Sequence, residues 1–284
     1  MKKTCLIISV ILVVLLTISG IITLISDNSF SFDGNKIALV RIEGPILDSE
    51  KAMEEIKKYS KDSSVKAILL RVNSPGGAVA PSQEIYVEVK KAVEKKPVVI
   101  SMGAVAASGA YYISAPASRI VANPGTITAS IGVIMEIPNF SGLMQKVGIK
   151  SEVIKSGRHK DLASAFRGIG EEERKILQNV LDNVHEQFIL AVAEGRNMDV
   201  SEIRKIADGR IFTGQQAIAV GLVDELGNME DAISVTADLA GIKGEPKVIE
   251  EKEKKSFFDL LNSSISGKIN DIIPTLKLNY ILSP

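Results

Sequence analysis

After residue 36 the chain alternates short aliphatic runs with segments of helical periodicity. The runs Ile37–Ile42, Ala67–Val72 and Pro97–Met102 are typical of buried strands. Between them, Ser49–Tyr59 and Ser82–Glu94 place apolar residues on one face of a helix. Strands that alternate with helices need crossover connections, which predict a parallel sheet covered by helices. We therefore predict an α/β fold.

The second half of the chain predicts further short strands and one long helix. The strands are expected at Arg119–Ala122, Thr128–Met135 and Lys150–Lys155. The helix is expected at Glu171–Glu194, with acidic residues in its first turn and Gly195 as its stop signal.

An apolar stretch, Cys5–Ile25, precedes the alternating region. It is long enough to span the ~30 Å hydrocarbon core of a bilayer, which predicts one N-terminal transmembrane helix. Lys2 and Lys3 before the stretch place the N-terminus in the cytoplasm and the rest of the chain outside. A cleaved secretory signal is the alternative, although no typical cleavage site follows. Cys5 is the only cysteine, so an intrachain disulfide is not possible.

These features divide the chain into consecutive parts. We predict a cytoplasmic N-terminus at 1–4, an anchor at 5–25, a linker at 26–36 and one folded domain at 37–246. The tail at 247–284 is expected to be either a mobile terminus or a segment that docks elsewhere.

Charge and residue spacing exclude several functions. Basic and acidic residues number 34 each, so no net field attracts nucleic acid. The two histidines, His159 and His185, are far apart and have no cluster of cysteine or carboxylate around them, so we predict no metal site. The glycine-rich motifs match no nucleotide-binding pattern, and no cofactor is predicted.

Ser108 lies in an unusual run of small residues, Met102–Ala110. Alanine and glycine around the serine leave space for another backbone to approach the hydroxyl, as a nucleophile that cleaves peptides requires. The same composition is also typical of close helix or turn packing. The run alone leaves both interpretations open.

Gly76 and Gly77 follow the predicted strand Ala67–Val72 directly. Consecutive glycines at the end of a strand can present backbone N–H groups to an oxyanion. An ordinary Pro-Gly turn is the alternative.

A serine nucleophile needs a base, and the polar loop 156–161 offers His159 and Lys160. A lysine acts as a base only when neutral, so its pKa must fall from ~10.4 toward ~7. Spacing alone does not distinguish Lys160 from a solvated surface lysine. His185, inside the long helix, is interpreted as a packing or surface residue.

Several motifs occur together in one order. They are Val72–Gly77, Ser101–Gly103, Ala107–Tyr112, Ala122–Pro124, Thr126–Val133, Lys155–Gly157 with Lys160 and Asp161, Gly209–Gly214 with Ala217, and Gly221–Asp224. In this order they resemble the signal peptide peptidase A family of membrane-anchored serine peptidases, in its short single-domain form. The resemblance extends over about Ile37 to Ile242.

The resemblance implies a Clp- and crotonase-like α/β fold with a Ser/Lys dyad. Ser108 would be the nucleophile, Lys160 the general base and Ser130 the hydroxyl that orients the lysine. The oxyanion hole would lie near Gly76, Gly77 and Gly109. The resemblance also implies a homo-oligomeric ring in which neighbouring subunits share active sites, with signal-peptide remnants and other extended peptides as substrates. The chain departs from the family pattern at Ala163–Arg167, which lacks a proline often found there.

Three alternatives use the same residues differently. A Clp-like Ser-His peptidase would take His159 as its base. Acyl-CoA chemistry on the crotonase scaffold would use the glycine-rich loop without Ser108, and a non-catalytic membrane scaffold would keep only the fold.

Overall fold

Parallel strands form the centre of the fold. The computed structural model describes residues 35–251 and 279–281, and the predicted anchor at 5–25 lies outside them. In chain order the first elements are β1 (Lys36–Glu43), α1 (Glu50–Lys61), β2 (Val65–Ser74), β3 (Gly76–Ala78), α2 (Val79–Val93), β4 (Val98–Ala107), α3 (Gly109–Ser114), β5 (Arg119–Ala122) and β6 (Ile127–Ala129).

The remaining elements are mainly helices. They are α4 (Ser141–Lys146), α5 (Glu171–Arg196), α6 (Val200–Ile206), β7 (Ile211–Thr213), α7 (Gly214–Ala219), β8 (Glu225–Leu226), α8 (Met229–Leu239), β9 (Lys247–Glu250) and β10 (Asn279–Ile281). None of the helices described is long and apolar enough to cross a bilayer.

The main sheet runs in the order β7-β6-β4-β2-β1-β9; β5 also pairs with β4, and β8 pairs with β5. Its described ladders are parallel except for β6 with β7. A second, two-stranded sheet pairs β3 with β10. The prediction of an α/β fold with a mostly parallel sheet is therefore confirmed.

Helices cover both faces of the sheet. Along β1, Ala38 and Val40 face the larger core, whereas Ile37 and Leu39 face a smaller core beside α8. Alternate side chains of a strand point to opposite faces, so a strand buried on both faces needs a continuous apolar sequence. This is why the strand runs lack polar alternation.

Two predicted strands were wrong in their bounds, and a third does not form. β4 continues to Ala107, and β6 ends at Ala129 instead of Met135. The residues of Lys150–Lys155 are all exposed and form no strand, since no core lies beneath them.

Gly195 does not end the long helix. Helix α5 continues through it to Arg196 and is capped by Asn197, whose φ of 51° is left-handed. A Cβ at residue 195 would lie 2.5 Å from the carbonyl oxygen of Ala115, so the glycine permits close packing instead.

Candidate active site

Ser108 joins the end of β4 to the start of α3. It is 1% exposed, and its φ of 55° and ψ of −117° are strained for a residue with a side chain. Its N–H donates to the carbonyl oxygen of Ala129 at 2.7 Å, and its own carbonyl accepts from Tyr112 N–H at 2.8 Å. Backbone strain held by such contacts is a property of many functional sites.

The small residues before Ser108 also have a packing role. A Cβ on Gly103 would lie 2.7 Å from the Asn73 side chain, and Asn73 Oδ1 accepts a hydrogen bond from Val105 N–H at 3.3 Å. The two interpretations of the small-residue run are therefore compatible, because close packing around β4 holds the Ser108 turn in place.

Strand β3, which contains Gly76 and Gly77, lies beside α3. Gly76 has a φ of 96°, and its N–H donates to Ser74 Oγ at 3.1 Å. A Cβ on Gly77 would lie 2.1 Å from the carbonyl oxygen of Ile46. Both positions thus require glycine for conformation or close approach.

The two edges of β3 have different partners. On one edge, Ile46 N–H donates to Gly76 O at 2.9 Å and Ala78 N–H donates to Ile46 O at 2.8 Å. Since the backbone groups of successive residues alternate in direction, those of Gly77 face the opposite edge. There Asn279–Ile281 pairs antiparallel, with Tyr280 opposite Gly77. This edge accommodates an extended chain.

Ser130 lies close to the Ser108 turn. It directly follows Ala129, whose carbonyl accepts the Ser108 N–H, and both Ala129 (φ 64°) and Ser130 (φ 52°) have left-handed backbones. Ser130 Oγ donates to the carbonyl of Gly209 at 3.3 Å. The structure therefore brings these two predicted site residues together on neighbouring segments.

Ser130 also lines a cavity of about 530 Å³, together with residues of α5. His185, interpreted from sequence as a packing or surface residue, lines the same cavity. Its Nε2 atom is buried and has no hydrogen-bond partner in the part of the chain described.

Lys160 is not joined to this group. It is exposed in a succession of turns, and its N–H donates to Gly157 O at 3.0 Å. Its side chain makes no hydrogen bond or ion pair with residues 35–251 or 279–281. The neighbouring His159 has Nε2 3.6 Å from Glu172 Oε1, and it makes no hydrogen bond with Ser108 among the described residues.

A cluster of charged residues beside Lys160 was missed by the sequence analysis. Arg167 donates from Nε to Asp161 Oδ2 at 2.9 Å, and from Nη1 and Nη2 to the two oxygens of Glu173 at 2.7 and 2.5 Å. Lys155 Nζ also donates to Asp161. Hydrogen bonds from Arg167 lower the pKa of Asp161, and they lower that of Glu173 to about 2. The only signal was opposite charges at six-residue intervals, a spacing that matches no regular element.

Apolar side chains are exposed on the segment that contains Lys160. Helix α4 buries none of its residues, and Ile154 is 97% exposed. The other large exposed apolar residues of this segment are Phe140, Leu143, Val147, Ile149, Val153 and Phe166. A cluster of this kind is typical of a contact surface.

The described residues contain no group of three or more histidine, cysteine or carboxylate side chains that could hold a metal ion.

Known proteins match both halves of this domain. The profile of peptidase family S49 matches residues 90–243, and that of the Clp protease family matches 39–129. A candidate protease of Methanocaldococcus jannaschii is 37% identical over 92% of this chain and 90% of its own length. A candidate protease of Synechocystis is 47% identical over 73% and 75%. A candidate signal peptide peptidase of Enterococcus faecium is 43% identical over 64% and 53%. The chain therefore belongs to peptidase family S49, the signal peptide peptidase A family of serine-type peptidases.

Proposed function

We propose that this protein is a membrane-anchored endopeptidase that cleaves extended peptides with a dyad of Ser108 and Lys160. The main supporting observation is the position of Ser108, in a strained turn beside β3, one edge of which pairs with the extended segment Asn279–Ile281. A peptide bound on that edge would present its carbonyl groups close to the nucleophile.

The proposed reaction passes through an acyl-enzyme. Neutral Lys160 Nζ takes the proton of Ser108 Oγ as the oxygen attacks the peptide carbonyl. The backbone N–H groups of Gly77 and Gly109 stabilise the oxyanion, whereas the Gly76 N–H already donates to Ser74 Oγ. Lys160 then gives the proton to the leaving amine, and water hydrolyses the ester by the same cycle.

The base would come from a second copy of the chain. Lys160 is exposed and without a side-chain partner among the described residues, and the exposed apolar residues between 140 and 166 favour burial against another subunit. The match of residues 39–129 to the Clp protease family also suggests an oligomeric assembly. We therefore propose a homo-oligomeric ring with shared active sites.

The proposed location is the cell membrane. The apolar stretch Cys5–Ile25 would be a single-pass anchor, with the N-terminus in the cytoplasm and the catalytic domain outside. Such an anchor would keep the site near peptides released within the membrane, so the substrates proposed are signal-peptide remnants and other unfolded chains. No cofactor enters the proposed reaction.

Covalent labelling with a fluorophosphonate probe tests the dyad. We expect the assembled protein to be labelled, Ser108→Ala not to be labelled, and Lys160→Ala to be labelled at least about 100-fold more slowly, since general-base catalysis contributes about 10²–10⁴-fold. Lys150→Ala is the matched control, an exposed lysine of the same segment. Normal labelling of Lys160→Ala together with loss in His159→Ala would replace the dyad by a Ser-His pair.

Mixing inactive variants tests whether subunits share sites. Ser108→Ala and Lys160→Ala, co-assembled, place an intact serine on one subunit beside an intact lysine on another. We expect peptide cleavage to return in the mixture. If each site uses one chain only, the mixture stays inactive.

A further inference from the structure

The charged cluster around Arg167 connects the Lys160 loop to the domain core. Arg167 donates five hydrogen bonds to the residues described. They go to Asp161 Oδ2, to Asp161 O at 3.1 Å, to Gly168 O at 3.0 Å and to both carboxylate oxygens of Glu173. Glu173 in turn accepts from Gly170 N–H at 3.0 Å, at the start of α5. Asp161 is the residue directly after Lys160. Arg167 thus links the peptide beside Lys160 to the first turn of the longest helix, which Arg158 and His159 also contact through Glu172.

Few other contacts hold this loop: Arg158 Nη2 donates to Glu172 Oε2, and Phe140 N–H donates to the carbonyl oxygen of Ala165 at 2.7 Å. Its local hydrogen bonds are turn bonds, such as Leu162 N–H to His159 O at 3.0 Å and Ser164 N–H to Asp161 O at 3.1 Å. Ala163 has a φ of 62°, which is unfavourable for a residue with a Cβ. No residue of 156–168 is buried. Because apolar burial contributes so little here, the order of the loop depends on polar contacts.

Helix α5 provides a rigid reference for these contacts. Its side chains Leu177 and Phe188 are buried, and Phe188 also packs against Tyr112 of α3, with ring centroids 4.9 Å apart. Helix α3 begins directly after Ser108. The loop is therefore attached to a helix that itself contacts the nucleophile segment.

We propose that Arg167 is a positioning residue for Lys160. Its planar guanidinium reaches Asp161 and both oxygens of Glu173 at once, and the point charge of a lysine could not reproduce that fork. This inference rests on the proposed role of Lys160 as the base. Arg167 does not touch the reacting atoms, and its effect on the reaction passes through the placement of Lys160.

Kinetics separate this role from substrate binding. Arg167 is engaged by Asp161 and Glu173 and is not proposed to contact the peptide, so Arg167→Gln leaves KM within about twofold. Displacement of a catalytic group by about 1 Å can lower the rate about 100-fold, so we expect kcat to fall about 10- to 100-fold. A rise in KM with kcat unchanged would overturn the proposal.

A double-mutant cycle tests whether Arg167 acts through Lys160. The rate of Ser108 labelling by the fluorophosphonate is measured for the full chain, Arg167→Gln, Lys160→Ala and the double variant. We expect Arg167→Gln to slow labelling about 10- to 100-fold when Lys160 is present, and less than twofold when it is absent. Equal slowing in both backgrounds would show a general structural effect and overturn the proposal.

Two further variants strengthen this experiment. Asp161→Asn weakens the same contact from the other side and should show the same dependence on Lys160, so it serves if Arg167→Gln does not fold. Arg204→Gln is the matched control, because Arg204 makes a similar two-bond contact with Glu186, at 2.7 and 2.8 Å, away from the loop. It should label at the normal rate.

The labelling rates also distinguish failure of the proposed dyad from failure of the positioning role. If Lys160→Ala alone labels at the normal rate, the dyad is wrong and the positioning role fails with it. If Lys160→Ala labels slowly but Arg167→Gln and Asp161→Asn label normally, only the positioning role is wrong.

Discussion

Replacing Gly77 by alanine should disrupt the strand on which we propose that peptides bind. A Cβ at this position would lie 2.1 Å from Ile46 O and 2.6 Å from Ile46 N, both backbone atoms that cannot rotate away. To relieve the overlap, β3 must move from Ile46 and weaken the bonds from Ile46 N–H to Gly76 O and from Ala78 N–H to Ile46 O. Two such bonds contribute about 1–3 kcal/mol, and overpacking adds about 1–3 kcal/mol.

We therefore expect Gly77→Ala to lower the free energy of unfolding by about 2–6 kcal/mol. Urea denaturation of the full chain in mild detergent, followed by circular dichroism, measures this loss. Gly125→Ala is the matched control: a Cβ there meets nothing within 4 Å, and its stability should change by less than about 0.5 kcal/mol. If Gly77→Ala is as stable as the control, the close approach of β3 to Ile46 is wrong.

Other contacts give three further predictions. Asp224→Ala leaves the nearly buried guanidinium of Arg196 without its partner at 2.6 Å, and should lower the free energy of unfolding in urea by about 3–5 kcal/mol. Arg167 holds the pKa of Glu173 at about 2, below its ordinary 4.5, so the carboxylate stabilises the fold above about pH 5 and this contribution is lost as pH falls toward 2. The stability difference between the wild type and Glu173→Gln should shrink over that interval, and a constant difference would contradict this reasoning. Removing residues 252–284 frees the β3 edge that Asn279–Ile281 occupies, so KM for a peptide should fall in steady-state assays, and an unchanged KM would show that the edge is not the peptide site.

Elements buried on both sides could be predicted from the sequence. The runs at Ile37–Ile42 and Ala67–Val72 lie within β1 and β2, because a central parallel strand needs apolar side chains on both faces. The same rule wrongly predicted a strand at the exposed stretch Lys150–Lys155. Its apolar residues resemble a strand locally, but no sheet edge or core receives them.

The candidate site was only partly accessible from the sequence. The small-residue run pointed to Ser108, and the motif order pointed to Ser130 and Lys160. The left-handed backbones at Ser108 and Ser130 were not predictable, since both residues ordinarily avoid that conformation and tolerate it here through bonds to distant segments. The contacts of Arg167 were equally hidden, because they join loop residues without a regular period.

The sequence by itself determined the α/β class, the order of most strands and helices, and the family, because apolar periodicity and ordered motifs are local properties of the chain. Only the tertiary structure decided that Ser108 and Ser130 lie on bonded segments, that Gly77 must approach Ile46, and that Lys160 has no side-chain partner among the described residues of its own chain. Those facts depend on distances between residues far apart in sequence, which are fixed by packing and backbone pairing across the whole domain.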